Sequence, residues 1–350
     1  MYKPIILNLV AAIALIDVIA AGGTPICPRK RIPYPSDLLP IEMSGKYGYI
    51  NKSGGLVISP KYNWAFYFFD GLARVKIGRK AGYINPRGEL VIPPRFQPDY
   101  ACDFSEGAAC VKLGSHWSYI DRTGKLFIKQ RFQAASSFSE GLAAVLIADR
   151  WGYIDKTGRM VIEPQYARAL DFSEGYAVVF IGKEMKRGFI DRKGKFKIPP
   201  TFDYACGYSG GLARVGVIDK TGYSEVQFID TSGTVVIRPQ SLGPKIHGYC
   251  DFFETLACVG VDGGKMGYID ITGKIVISPI FDYASDFSEG LAAVTIGDRV
   301  GYIDKTGMVI IKPQFNYGGE FRNGVAAVQN IGLKVGYIDK NGKYIWPPSK

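Results

Sequence analysis

The chain has 350 residues, of which 47% are hydrophobic and 13% aromatic, a composition that excludes a disordered chain. Its 43 Gly, 22 Tyr and 20 Phe favour strands and tight turns over helices, since aromatics suit pleated surfaces and glycine supplies turn dihedrals. The formal charge of +11 is spread along the chain, which points to a solvated surface with weak attraction to acidic polymers or an anionic membrane and to no specific nucleic-acid interface.

The first element, MYKPIILNLVAAIALIDVIAAGG, carries Lys3, then an apolar stretch, then small residues. Residues 1–21 therefore read as a signal peptide, with cleavage expected after Ala20 or Ala21. Asp17 interrupts the apolar run, and an uncleaved membrane anchor is the alternative. A signal would place the mature chain in the periplasm, at the cell surface or outside the cell. Residues 22–40 hold Pro25, Pro28, Pro33, Pro35 and Pro40 and read as an extended linker, because proline stiffens the chain and removes backbone donors.

Residues 41–348 are a repeat. YGYINKSG (47–54) returns as AGYINPRG (81–88), WSYIDRTG (117–124), WGYIDKTG (151–158) and RGFIDRKG (187–194). It continues as VQFIDTSG (226–233), MGYIDITG (266–273), VGYIDKTG (300–307) and VGYIDKNG (335–342), nine copies in all. Most spacings are 34 to 36 residues; the two longest, 39 and 40, flank the copy at 226–233. Between copies lies FSEG, at 104–107, 138–141, 172–175 and 287–290, followed by a strand-like LAAV or a relative of it.

Each piece has a physical reading. LAAVTI (291–296) is a short apolar strand, and Gly297–Asp298 is a hairpin-type turn. VGYID is a second strand. In the turn that follows, Asp155 or Asp304 accepts local N–H bonds and Gly158 or Gly307 supplies a positive φ. MVIIKP is a third strand, stopped by Pro313 because proline cannot donate to a ladder. A lone meander of this size cannot bury enough surface, so the units must pack on one another. Alanine pairs such as Ala143–Ala144 and Ala292–Ala293 imply crowding between neighbours.

RWGYIDKTGRMVIEPQY (150–166) and RVGYIDKTGMVIIKPQF (299–315) resemble the WG repeat, also called the KWG repeat, and the resemblance covers nearly all of 41–348. The signature Trp occurs only at Trp117 and Trp151, and Gln227 replaces the first Gly of its copy. The resemblance implies an all-β array and no single activity. The expected fold is a tandem array of nine ~35-residue three-stranded antiparallel units in an open solenoid or superhelix. A closed β-propeller is the alternative, with the LAAV strand innermost, although nine blades exceed the usual four to eight.

The chemical motifs fall to the repeat. KTG at 156–158, 220–222 and 305–307 lacks the SxxK and SDN partners of penicillin-binding enzymes. GYSGG (207–211) fits a nucleophile elbow, but it aligns with FSEG and precedes a strand, so Ser209 reads as a turn residue. His116 and His247 belong to no catalytic or metal cluster. Glu106, Glu140, Glu174 and Glu289 read as polar turn residues rather than a cation-binding row, and Lys156 as solvated. No Walker-type or dinucleotide loop is present, and no cofactor or metal is expected. Cys102 with Cys110, and Cys250 with Cys258, occupy matching positions in two units and are candidates for local disulfides; Cys206 would pair with Cys27 or stay free.

The expected function is a non-enzymatic binding scaffold, exported to the envelope or secreted, that engages a protein or glycan surface. A polymer-directed hydrolase or an envelope adhesin is the alternative. The irregular stretch 206–260 is the expected specialised site, because there the period breaks.

Overall fold

The structure is a computed structural model that describes residues 37–218, 224–238, 246–261 and 263–348. The signal or anchor assigned to 1–21, most of the 22–40 linker and Cys27 lie outside the described residues. These residues form nine antiparallel sheets, seven of four strands and two of three, with one 3-10 turn at Pro98–Tyr100 and no α-helix.

Blade 4 shows how the sequence builds a sheet. Its strands are Ala134–Ala135, Leu142–Ile147, Arg150–Asp155 and Met160–Tyr166, hydrogen-bonded in that order. The hairpin between the second and third turns through Ala148 and Asp149, both at positive φ, which matches the strand twist. Its register is unbroken from Leu142↔Asp155 to Ile147↔Arg150. The next pairing skips residues, with Tyr153↔Ile162 but Trp151↔Tyr166. At that bulge the chains run close together: a Cβ on Gly152 would lie 2.5 Å from the Ile162 carbonyl oxygen. In blade 3 Ser118 takes this position, keeps the same bulge and donates its hydroxyl to the Ile128 carbonyl at 2.9 Å.

The blades run in chain order: 39–62, 64–96, 101–132, 134–166, 168–202, 204–237, 246–281, 283–315 and 317–346. Pro40 lies inside the first strand, Leu39–Met43, so the array begins within the stretch assigned to the linker. The link between units contributes a further two-residue strand in most blades, so the typical unit has four strands rather than the expected three. LAAV is consequently the second strand and is not innermost. Its first four residues are buried in blades 4 and 8, since it packs between neighbouring sheets, and alanine is what that space admits.

Adjacent blades share one core. Tyr153, Ile162 and Tyr166 of blade 4 pack on Ala169, Phe172, Ala177 and Val179 of blade 5. A Tyr–Phe pair recurs at these boundaries, with ring centroids 4.9 Å apart for Tyr153 and Phe172 and 5.0 Å for Tyr119 and Phe138. The tyrosine hydroxyl then donates to a main-chain carbonyl of the next blade: Tyr119 to Ser136 at 2.7 Å, Tyr153 to Leu170 at 2.7 Å, and Tyr302 to Gly319 at 2.9 Å.

The expected open solenoid is corrected here, because the array closes. Tyr337 of blade 9 donates to the Pro40 carbonyl of blade 1 at 2.8 Å, and its oxygen lies 3.3 Å from the Tyr67 hydroxyl. Leu39, Ile41 and Ile50 share a buried cluster with Val325 and Tyr337, and Lys334 pairs with Glu42 at 3.1 Å. The nine sheets thus form a nine-bladed β-propeller. Closure gives the last tyrosine a partner and buries two faces that an open array leaves wet.

Closure makes Tyr337 equivalent to an interior tyrosine. Tyr337→Phe is expected to cost about 1 kcal/mol, the same as Tyr153→Phe, read as matching shifts in urea-unfolding midpoint. A Tyr337→Phe variant as stable as the parent, beside a destabilised Tyr153→Phe, would contradict the ring.

Candidate functional site

The second strand of each blade starts on the same side of the ring as the third ends, so the FSEG and DKTG turns share one face. The hairpin tips between those strands lie on the other.

On the turn face, Asp155 Oδ1 accepts the Thr157 N–H at 2.9 Å, the Thr157 hydroxyl at 2.6 Å and the Arg159 N–H at 3.1 Å. Asp304 repeats this with Thr306 and Met308. The Thr hydroxyl bond above all, with the backbone donors, holds both carboxyls below their ordinary range against a small burial penalty. Gly158 has φ +86°, and a Cβ on it would lie 3.0 Å from Ile128 of the preceding blade; Gly307 stands the same way against Ile277. These turns are both chain reversals and blade contacts.

The FSEG glutamates do more than make polar turns. Glu140 Oε1 accepts the N–H of Glu174 at 2.8 Å and Oε2 that of Gly175 at 2.9 Å, in the next blade. Glu174 does the same to Gly210 and Gly211, and Glu289 to Asn323 and Gly324. Lysines of the following blade complete these latches: Lys156 lies 3.2 Å from Glu106, Lys305 3.1 Å from Glu254 and Lys340 3.3 Å from Glu289. Lys156 is therefore paired rather than merely solvated. The serine beside Glu106, Glu140, Glu174 and Glu289 donates across the same boundary, as Ser139 does to the Phe172 carbonyl at 2.8 Å; Phe253 stands beside Glu254. The sequence carried a signal for this. Glu106, Glu140, Glu174, Glu254 and Glu289 all have positive φ, where Asn or Gly is at ease, so recurrent Glu implies another task.

Both candidate cysteine pairs are joined. Cys102 bonds Cys110 with Cα atoms 5.3 Å apart, and Cys250 bonds Cys258 with Cα atoms 5.1 Å apart. Cys206 is disulfide-bonded as well. His116 is exposed and lies 2.9 Å from the Ser115 hydroxyl; the His247 side chain is outside the described residues.

The irregular stretch 206–260 contains a buried polar seam between blades 6 and 7. Gly210 stands where the latch glutamate would be, and Phe228 where the bonding tyrosine would be. In their place Arg214 pairs with Asp251 at 3.2 Å, with side-chain exposures of 10% and 7%. Arg214 also donates to the Tyr204 hydroxyl at 2.7 Å. Arg187 packs over Phe180 and Tyr204, at 4.6 and 5.1 Å, and burial pulls its guanidinium below the ordinary value. Blade 2 repeats the pairing where it meets blade 3: Arg74 holds Asp103 at 3.1 Å. The described part of the stretch expected to be specialised thus holds a buried ion pair across the boundary of blades 6 and 7, beside the Ser209 hydroxyl bond to the Phe252 carbonyl.

The hairpin-tip face has a different character. Ile77, Leu113, Ile218 and Ile296 are exposed at the strand ends, Ile331 is 82% exposed, and Tyr100 and Tyr283 stand out beside them. The hairpin of blade 2 carries Lys76, Arg79 and Lys80, and the strand end of blade 3 carries Lys112. Lys112 Nζ lies 4.6 Å from the Tyr100 ring centre, and Tyr100 meets Trp117 edge-on at 6.2 Å.

Comparison with known proteins agrees with this geometry. A family model described as WG containing repeat matches residues 47–80, 82–115, 117–150, 151–183, 188–220, 266–299 and 301–332. No curated protein matches the chain. Among solved structures, a eukaryotic initiation factor superposes with a TM-score of 0.61 at 14% identity, over 89% of this chain and 96% of that one. A computationally designed protein gives 0.46 at 11% identity, covering 79% of this chain and 93% of its own. BamB from Moraxella catarrhalis gives 0.40 at 13% identity, over 79% and 94%. At these identities the first likeness concerns the fold alone.

Two outcomes are expected. Burial would raise the Glu254 carboxyl, but Lys305 and the N–H groups of Gly290 and Glu289 hold it below the ordinary 4.5. With Asp155 and Asp304 lowered too, the folded chain binds fewer protons than the unfolded one. Stability present above pH 4.5 is then lost as pH falls through the folded values. Urea midpoints measured downward from about pH 6 should show this fall, and Glu254→Gln should flatten it. Asp251→Ala leaves the Arg214 charge buried without its carboxylate and should cost about 3–5 kcal/mol in the same assay.

Proposed function

The chain belongs to the WG containing repeat family, and from that premise we propose that it is a non-enzymatic binding scaffold whose hairpin-tip face holds an acidic protein or glycan surface. One observation carries the reading. Among the described residues, the recurrent carboxylates of the turn face are engaged in turns and latches, whereas the tip face leaves apolar, aromatic and basic side chains exposed. Lys76, Arg79, Lys80 and Lys112 make no ion pair among the described residues, and the surrounding rings and aliphatic chains supply area that desolvates well.

Rigid support favours such a role. Each tip rests on strands fixed to both neighbouring blades, so little conformational freedom is lost on binding. Buried tyrosines such as Tyr153 keep their protons in the fold, since burial raises their values well above the ordinary 10; the unfolded chain ionises first, so the stability they lend is present below about pH 10 and is lost above it. Export is part of the proposal. Two disulfides within single blades suit an oxidising compartment, and they support the signal reading of residues 1–21.

The test uses the mature chain on an immobilised sulfated polysaccharide and on an acidic polypeptide. Binding should weaken with salt, and K76E/R79E/K80E/K112E should weaken it by at least about tenfold with the unfolding midpoint unchanged. Unchanged binding by that variant would sink the assignment of the face. Catalytic turnover of either polymer would favour the hydrolase reading instead.

A further inference from the structure

We propose that the Cys250–Cys258 pair is a redox-gated site for a borderline-soft divalent cation such as zinc, completed by Asp286 of the next blade. The two Sγ atoms and a carboxylate oxygen of Asp286 all lie within 4.8 Å of one another. Cys258 is fully buried in the second strand of blade 7, whereas Cys250 and Asp286 are partly exposed, which provides an entry path. Two thiolates and one carboxylate suit a tetrahedral cation that keeps a fourth position for water.

The repeat explains why the carboxylate is there. Cys258 is the third residue of LACV, and Asp286 immediately precedes the Phe of the following FSEG motif. At the same two positions, Arg74 meets Asp103 and Arg214 meets Asp251. Twice, then, this contact across a blade boundary joins a cation to a carboxylate; the third time a thiol stands in the place of the guanidinium. The other local disulfide supplies an internal comparison. Cys102 and Cys110 match Cys250 and Cys258 in the repeat, but Ser137 occupies the position of Asp286. A serine hydroxyl is a poor zinc ligand beside a carboxylate.

In the oxidised chain the sulfurs bond each other and offer no thiolate. A dithiol reductant opens the site. Its thiolate attacks Cys250 Sγ, the more accessible sulfur, the S–S bond breaks, and Cys258 leaves as a thiolate. The reductant's second thiol displaces Cys250 and departs in its own disulfide, so the protein gains two electrons and two protons. The cation then displaces both protons to solvent and binds two thiolates and the carboxylate.

The probe is cobalt(II) added to a full-length variant with Cys27, Cys102, Cys110 and Cys206 changed to Ser, reduced by a phosphine that does not ligate the metal. One equivalent should bind, with sulfur-to-cobalt charge-transfer absorption that disappears on adding zinc or on reoxidation. Asp286→Asn should weaken binding by at least about tenfold while near-ultraviolet circular dichroism stays unchanged. If the four-serine variant does not fold, reduced parent chain and its Asp286→Asn form give the same comparison. Equal absorption in the oxidised chain, no charge-transfer band in the reduced one, or an Asp286→Asn affinity equal to the parent would each overturn the proposal.

Discussion

Main-chain groups of one blade are satisfied by side chains of the blade before it, and the rest of the structure depends on that. A tyrosine hydroxyl and a serine hydroxyl of one blade donate to carbonyls of the next, and a glutamate accepts two of its N–H groups. A hydrogen bond to a charged group contributes more than a neutral one, and a buried N–H left without a partner costs more still. A single blade is accordingly not a folding unit, and a chain with two open ends would leave one donor face and one acceptor face unmet. The bond from Tyr337 to Pro40 joins those ends.

The irregular sector joins its blades by a different bond. Where blade 6 lacks both the glutamate and the tyrosine, a buried ion pair bridges to blade 7. Buried ion pairs are costly to desolvate and add little net stability, but they penalise wrong packing heavily. The positions that hold Arg and Asp there are those that hold a disulfide and a carboxylate one blade later. The third residue of the LAAV strand is therefore the variable point of the interface. Alanine fills it passively, arginine pairs across it, and cysteine cross-links beside it.

The two faces of the ring follow from strand direction. The turn face is consumed by holding the blades together, so its recurrent Asp, Glu, Lys and Ser are structural even though they are the chemically suggestive residues. The tip face carries the variation from blade to blade, from Arg79 and Lys80 to His116, Asp149 and Ile331. Loops that support no neighbour are free to vary, and recognition is best placed there.

The sequence by itself determined the all-β class, the nine units, the turn chemistry of Asp155 and Gly158 and the pairing candidates among the cysteines. Those features are local: periodicity, turn residues and a loop of a few residues fix them within a single unit. Tertiary structure decided closure, the fourth strand, the central place of LAAV and the latch role of Glu140 and Lys156. Closure and the latches depend on contacts about one repeat or more apart, and Tyr337 reaches Pro40 across 297 positions; the fourth strand, which makes LAAV central, pairs within its own unit, as Ala134 does with Leu146, but is only two residues long and so carries no alternation to mark it. A donor's sequence neighbourhood does not reveal which distant acceptor it meets; that follows from how far each blade rotates about the ring axis, a small angle set by packing and summed over nine blades.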